Sequence, residues 1–248
     1  MALIETEAVI IWEMPQGDTS KILRVITKDY GKVSLIAKGA RSFKNRFGGA
    51  LELLNIFNIV YYYKESRDLQ MLSKCNIIQH YEGIRSDLHK LAIGLSIAEI
   101  LNELVIEEEP NEELFTLVTT SLDALEYTKK RYEMIYWYFL TQFLKISGFG
   151  IDIQCCVRCG KEREVSDVYF SIESGGILCN KCAPAEGVRR LSRETVQVLK
   201  YVLSQKIENI GKLKTSQHTY KELNTLLDAF FRYHCEGYKT PQSLQLLQ

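Results

Sequence analysis

The chain has 248 residues, 46% of them hydrophobic, and 31 cations balance 31 acids, so it can fill a core and is no uniform polycation. No N-terminal apolar run ends in a small-residue cleavage site, and no stretch of about 18 uncharged apolar residues is long enough to span a bilayer. The expected compartment is therefore the cytosol, with no membrane partner. Seven cysteines in a reducing compartment read as ligands or buried small residues rather than disulfide partners.

Residues 1 to 80 are rich in β-branched and aromatic residues. Thr6, Ala8, Ile10 and Trp12 alternate with outward Glu5 and Glu7, the period of a strand. Further strands are expected at about 20 to 28, 32 to 38, 51 to 63 and 69 to 78, separated by turns such as Pro15-Gln16-Gly17-Asp18 and Asp29-Tyr30-Gly31. Five strands in this length fit a five-stranded OB-type barrel, with the long Leu51 to Tyr63 segment as the strand that curls around it.

After Tyr81 the period becomes helical, with Leu88, Leu91, Leu95, Ala98, Leu101 and Val105 along one face. Helices are expected at about 111 to 127 and 131 to 147, the latter closed by Gly148-Phe149-Gly150. Ser192 with Thr195 opens another, and a last helix covers about 216 to 235. The fold class is α+β and multidomain: an OB-fold nucleic-acid-binding domain over 1–80, then an α-helical domain over 81–248 with a zinc finger inserted at about 153–185.

The insert holds Cys156-Val-Arg-Cys159-Gly160 and Cys179-Asn-Lys-Cys182, two C-x2-C turns at zinc-ribbon spacing. Val168 to Ile172 and Gly175 to Leu178 read as a hairpin that brings the turns together. Four thiolates close the coordination sphere, so the expected cofactor is one structural zinc ion rather than a catalytic one. Cys155 competes with Cys156 as first ligand; Cys156 is preferred because it repeats the two-residue spacing. His80-Tyr81-Glu82 formally resembles half of a nucleobase deaminase signature, but the second cysteine pair and the missing proline argue for an ordinary exposed histidine.

Lys21, Arg24, Lys28, Lys32, Lys38, Arg41, Lys44 and Arg46 face a single acid, Asp29, between residues 21 and 49, whereas residues 87 to 126 hold ten acids against Lys90. Such a run is either a solvated face or a phosphate-binding surface. In Lys38-Gly39-Ala40-Arg41-Ser42-Phe43-Lys44-Asn45-Arg46-Phe47-Gly48-Gly49, cations alternate with two aromatics, so Phe43 and Phe47 are candidates for base stacking or, alternatively, plugs of the barrel core. The candidate DNA-binding residues are Lys21, Arg24, Lys38, Arg41, Phe43, Lys44, Arg46 and Phe47. Arg189 and Arg190, near the zinc turns, are possible additions. No catalytic residues are expected: no G-x4-G-K-[S/T] loop or G-x-S-x-G elbow occurs, so neither enzymatic turnover nor a small-molecule substrate is expected.

Thr6-Glu7-Ala8-Val9-Ile10, the loop from Lys38-Gly39-Ala40-Arg41 to Arg46-Phe47-Gly48-Gly49-Ala50-Leu51, and the cysteine turns with Gly175-Gly176-Ile177-Leu178 resemble the RecO recombination mediators of bacteria over nearly the whole chain. The resemblance implies an N-terminal OB-fold, a helical domain bearing a zinc finger, and work in recombinational DNA repair. It further implies binding to single- and double-stranded DNA, strand annealing, pairing with RecR, contact with single-strand-binding protein, and help to RecA in replacing that protein. An apolar groove for the tail of single-strand-binding protein is expected in the helical domain, where Leu223, Leu226, Leu227, Phe230 and Phe231 would serve as groove or core. The competing reading is an OB-fold and zinc-ribbon RNA-binding protein of translation or transcription.

Overall fold

The computed structural model describes residues 2–42, 47, 51–107, 109–162, 168–184 and 187–247. Among them, β1 (Ala2–Gln16), β2 (Ser20–Thr27), β3 (Gly31–Ala37), β4 (Ile56–Tyr63) and β5 (Leu69–Gln79) close a barrel in the order β1-β2-β3-β5-β4. Four of the five pairings are antiparallel and β3 with β5 is parallel, an arrangement of the OB type. Inward residues alternate along each strand to form one core that includes Ala8, Ile10, Leu23, Val25, Leu35, Phe57, Ile59 and Leu72.

The strand that wraps the barrel is β1 rather than the expected 51 to 63 segment. Its first half pairs with β4 and its second with β2. Before β4, Leu54 takes a left-handed backbone (φ 71°), and its N–H donates to the carbonyl of Ile10 at 2.8 Å, so the strand starts at Ile56. A bulge between Ile10 and Trp12 reverses the side of everything beyond it. Thr6, Ala8 and Ile10 point inward as expected, whereas Trp12 is half-exposed under the Arg24 guanidinium, 4.6 Å from its ring.

Helices follow as α1 (Glu82–Ser86), α2 (Leu88–Leu104), α3 (Glu112–Tyr127), α4 (Tyr132–Ile146), α5 (Arg193–Ser204) and α6 (Gln217–His234). Asp87 caps α2 by accepting from the N–H groups of His89 and Lys90. The buried face of α2 carries Ile93, Ile97, Ile100 and Leu101, while Leu88, expected at the head of the apolar stripe, is 54% exposed. The physical reason is that β1, α1, α3 and the C-terminal 3-10 turn Gln242–Leu247 all pack against α2, so it is buried on several sides and no single stripe marks its core.

By compactness the chain forms two units, residues 1–127 with 241–248, and residues 128–240. The 80/81 division is one of strand type against helix type and lies inside the first unit. In the second unit, β6 (Val168–Ser171), β7 (Gly176–Leu178) and β8 (Val188–Leu191) form a small antiparallel sheet in the order β7-β6-β8. Leu223, Leu226, Leu227, Phe230 and Phe231 are each at most 1% exposed, so this stripe is core and supplies no open groove. Two reciprocal caps join α5 to α6. The Glu222 carboxylate accepts from the N–H of Ser192, its hydroxyl at 2.7 Å and the Thr195 hydroxyl, while Glu194 accepts from the N–H of Ser216 at 2.9 Å and its hydroxyl at 2.6 Å.

Candidate metal centre and nucleic-acid interface

The metal centre is built from two tight turns joined by the β6–β7 hairpin. In the first, the Gly160 N–H donates to the Cys156 carbonyl at 2.8 Å, and Gly160 takes a positive φ of 70°, which suits a residue without Cβ directly behind a ligand. In the second, the N–H groups of Cys182 and Ala183 both donate to the Cys179 carbonyl at 2.9 Å. Val157 N–H donates to the Ile177 carbonyl and Asp152 pairs with Gly176, docking the first turn on β7. A Cβ on Gly176 would lie 2.4 Å from both the Asp152 carbonyl oxygen and Val157 Cγ1, so only glycine admits this approach.

The Sγ atoms of Cys156, Cys159, Cys179 and Cys182 all lie within 4.8 Å of one another. Cys159 Sγ and Cys179 Sγ are 3.8 Å apart, the edge of a tetrahedron whose metal–thiolate arms are about 2.3 Å. The donor set and its geometry fit a four-coordinate metal ion. Cys155 is outside the cluster, on a bridge to Glu162, which makes Cys156 the first member. Burial raises the Cys156 thiol, but backbone hydrogen bonds from Cys179, Cys159 and Arg158, with the Cys159 side chain, outweigh it and bring it down to about 6. Hydrogen bonding to the side chains of Cys179 and Cys159 pushes Cys182 up to about 12. A metal ion that binds such a set displaces thiol protons.

The basic segment is less uniform in space than in sequence. Lys21 Nζ is bound to the Glu13 carboxylate at 3.0 Å and to the Leu51 carbonyl at 3.2 Å. Arg24 stacks on Trp12 and donates to Asn102 Oδ1 at 2.9 Å. Lys32 is buried, donates to the Asn102 carbonyl at 3.0 Å, and its ammonium is lowered by desolvation against the opposing pull of Glu107. The acidic stretch therefore folds onto part of the basic one: Glu107 also accepts from the Ser34 hydroxyl.

Lys38 and Arg41 remain exposed. The Arg41 N–H donates to the Thr19 carbonyl at 2.8 Å and its guanidinium to the Gly17 carbonyl at 3.2 Å, which holds Arg41 beside the β1–β2 turn, and Lys38 stands in the same turn after β3. Phe47 is 4% exposed within the barrel core, so it is a plug and not a stacking surface; fourteen inward residues, Phe47 among them, fill that closed core. Phe43, Lys44 and Arg46 lie outside the described residues. Sequence reasoning missed Trp12, Glu13 and Asn102 as holders of the cations, because these contacts arise across strands and from α2. In the second unit, Arg189, Arg190, His218 and Lys221 line a cleft of about 450 Å³ whose wall includes Glu222.

A family model described as "Recombination protein O N terminal" matches residues 1–81, and one described as "Recombination protein O C terminal" matches residues 85–243. The chain belongs to this RecO family. A DNA repair protein RecO of Desulfatibacillum aliphaticivorans is 34% identical over all of this chain and 97% of its own length. Those of Desulforamulus reducens and Pelodictyon phaeoclathratiforme are 30% and 28% identical, covering 95% and 99% of this chain and 91% and 97% of their own. Membership places the chain in a family of DNA repair and recombination; the family descriptions name neither translation nor transcription. Among the described residues no helix is long and apolar enough to cross a membrane.

Proposed function

We propose that the chain is a recombination mediator that binds single- and double-stranded DNA through the basic rim of its barrel, without catalytic turnover. It anneals complementary strands, pairs with RecR, contacts single-strand-binding protein, and so helps RecA replace that protein in the cytoplasm, at the nucleoid. The observation that carries the reading is a RecO family match over residues 1–81 and 85–243 on a barrel whose exposed cations, Lys38 and Arg41, sit together at one turn. Lys44 and Arg46, three and five residues beyond Arg41, extend the cation run in sequence. Arg and Lys at such a rim neutralise phosphates and release counterions whatever the base sequence, as a protein acting on any broken chromosome requires.

The four-cysteine cluster takes one zinc ion, the metal for which a closed tetrahedral thiolate set is the usual site. Zinc there organises the β6–β7 hairpin and supplies folding energy rather than a reactive water. Loss of the apolar groove at Leu223 to Phe231 leaves the contact with single-strand-binding protein to another surface. The test is an annealing assay with complementary oligonucleotides coated by single-strand-binding protein, with and without RecR. Acceleration by the intact chain, lost in Lys38→Ala/Arg41→Ala, is the expected result; an unaltered annealing rate with the intact chain overturns the reading.

A further inference from the structure

The outer surface of a barrel strand is ordinarily polar where it meets water. Following the strand register around this barrel gives a different result. Leu3 pairs with Tyr62, Tyr62 with Met71, Met71 with Ile36, Ile36 with Ile22, and Ile22 with Met14. These six residues form one continuous row that crosses every strand and rejoins β1 eleven positions along (14 − 3). Leu3, Tyr62, Met71, Ile36 and Ile22 face outward, since their chain neighbours Ile4, Tyr61, Leu72, Leu35 and Leu23 point into the core, and Met14 shares the outer face through its pairing with Ile22. Leu3 is 63% and Met14 39% exposed, and the four between them are half-exposed.

The cations of the rim stand next to this row. Lys38 stands two residues past Ile36, in the turn just beyond the end of β3, and Arg41 is tied to the carbonyls of Thr19 and Gly17 in the turn joining the strands of Met14 and Ile22. Lys21 and Glu13 neutralise one another there, and Asp18 is the remaining acid of the turn. An apolar row edged by cations is complementary to a chain with charges along one edge and flat apolar faces along the other. Unpaired nucleotides have that character; a duplex hides its base faces in its own stack.

We infer that the row Met14–Ile22–Ile36–Met71–Tyr62 is a platform on which the bases of single-stranded DNA lie while Lys38 and Arg41 hold its phosphates. The inference rests on the DNA-binding reading above and adds to it a part of the surface that recognises unpaired bases. The row spans four inter-strand gaps, about 19 Å, enough for several nucleotides. Apart from the Tyr62 hydroxyl at its far end, its side chains carry no directed polar group, so Met14, Ile22, Ile36 and Met71 offer every base the same apolar contact.

The test uses the full chain with two probes of equal length, an oligodeoxythymidylate and an abasic deoxyribose-phosphate oligomer, read by fluorescence anisotropy over a salt series. The parent protein is expected to bind the thymidylate at least about tenfold more tightly, the lower part of the range for base stacking. Ile22→Thr/Ile36→Thr keeps β-branched residues in the strands and is expected to erase that difference while leaving the salt dependence of the abasic oligomer unchanged. Met14→Thr, at the exposed end of the row, is expected to reduce the difference with no loss of thermal stability. A double variant that melts like the parent and keeps the full preference overturns the platform, and the row then belongs to a protein partner. Equal binding of both oligomers by the parent also overturns the platform but leaves the phosphate site standing; no binding of either at low salt overturns both readings.

Discussion

The barrel and the cysteine hairpin are both small β-structures, yet they are held together differently. The barrel strands run 7 to 15 residues and close on themselves, leaving no edge, around a core of inward aliphatic and aromatic side chains. The hairpin sheet has strands of only 3 to 4 residues, and its few apolar contributors, such as Phe170, Ile177 and Leu191, are buried, Phe170 against Phe230 of α6. A sheet so short does not stand on its own. The barrel is stabilised by buried area, whereas the hairpin carries a four-cysteine cluster able to hold a metal ion, and the two tryptophans let the difference be read: Trp12 lies on the barrel, and Trp137 lies in the helical unit with its indole N–H on Asn224 Oδ1 at 2.7 Å.

The largest effect is expected from Cys159→Ser. In thiolate sites the free energy of metal binding is folding free energy, on the order of 10 kcal/mol or more in isolated zinc modules. Bound zinc should fall from one per chain towards zero, and Trp137 fluorescence should shift to the red at a lower temperature, while Trp12, followed in a Trp137→Phe background, should melt as before. Cys155→Ser, outside the cluster, should leave the zinc content at one. Full retention of zinc by the Cys159 variant would remove the ligand assignment.

Phe47→Ala comes next and acts on the barrel. Truncating a buried phenylalanine typically costs about 3 to 5 kcal/mol, so the Trp12 transition should drop with Trp137 unmoved. Had Phe47 been a stacking residue, the loss would appear in DNA affinity at unchanged stability. A variant that melts like the parent and binds DNA less well would break the contrast drawn here.

A smaller change sharpens the account of the helical unit. Burial would raise the Glu222 carboxyl, but the hydroxyls of Thr195 and Ser192 and the Ser192 N–H outweigh it and hold it below the ordinary carboxylate range. A carboxyl lowered in the folded state contributes stability that is present above its unfolded value, about 4.3, and is lost as pH falls through the folded value. Glu222→Gln should therefore be less stable than the parent near pH 7, by about 1 to 2 kcal/mol for charge-assisted bonds made neutral. The gap should close as pH falls below about 4. Denaturant midpoints at pH 7 and pH 3 check this; a gap that stays constant would mean that the carboxylate charge plays no part.

The local features of this molecule were legible in the sequence. The two C-x2-C turns, the helix starts at Ser192 and Ser216, and the strands after Ser20 and Gly31 each follow from spacing within a few residues. What escaped depends on partners far away in the chain. The bulge at Ile10 to Trp12 sends Trp12 outward, Leu54 turns left-handed to meet Ile10, and Phe47 enters a core whose other members come from all five strands. The outward apolar row is invisible to a single strand, because Leu3, Tyr62, Met71, Ile36, Ile22 and Met14 become neighbours only through register. Cation counting likewise saw eight positive charges, but not that Glu13, Trp12, Asn102 and Glu107 engage three of them.

That last distinction gives the smallest expected effect on folding and the most selective one on binding. Lys38 and Arg41 are exposed, and surface substitutions of this kind usually change stability by less than about 0.5 kcal/mol. Lys38→Ala/Arg41→Ala should thus leave both tryptophan transitions in place. If each cation contacts one phosphate, log K for single-stranded DNA should fall with log salt less steeply by about 0.7 per residue, about 1.4 for the pair. Arg24→Ala should behave in the opposite way. Its guanidinium is committed to the Trp12 ring and Asn102, so its loss should lower the Trp12 transition, with a cation–π contribution of about 0.5 to 2 kcal/mol, and leave the salt slope nearly intact. Thermal melts and salt titrations of the two variants side by side decide the matter. A steep loss of salt dependence in Arg24→Ala with none in the double variant would move the phosphate site from the β1–β2 rim to the face beside α2.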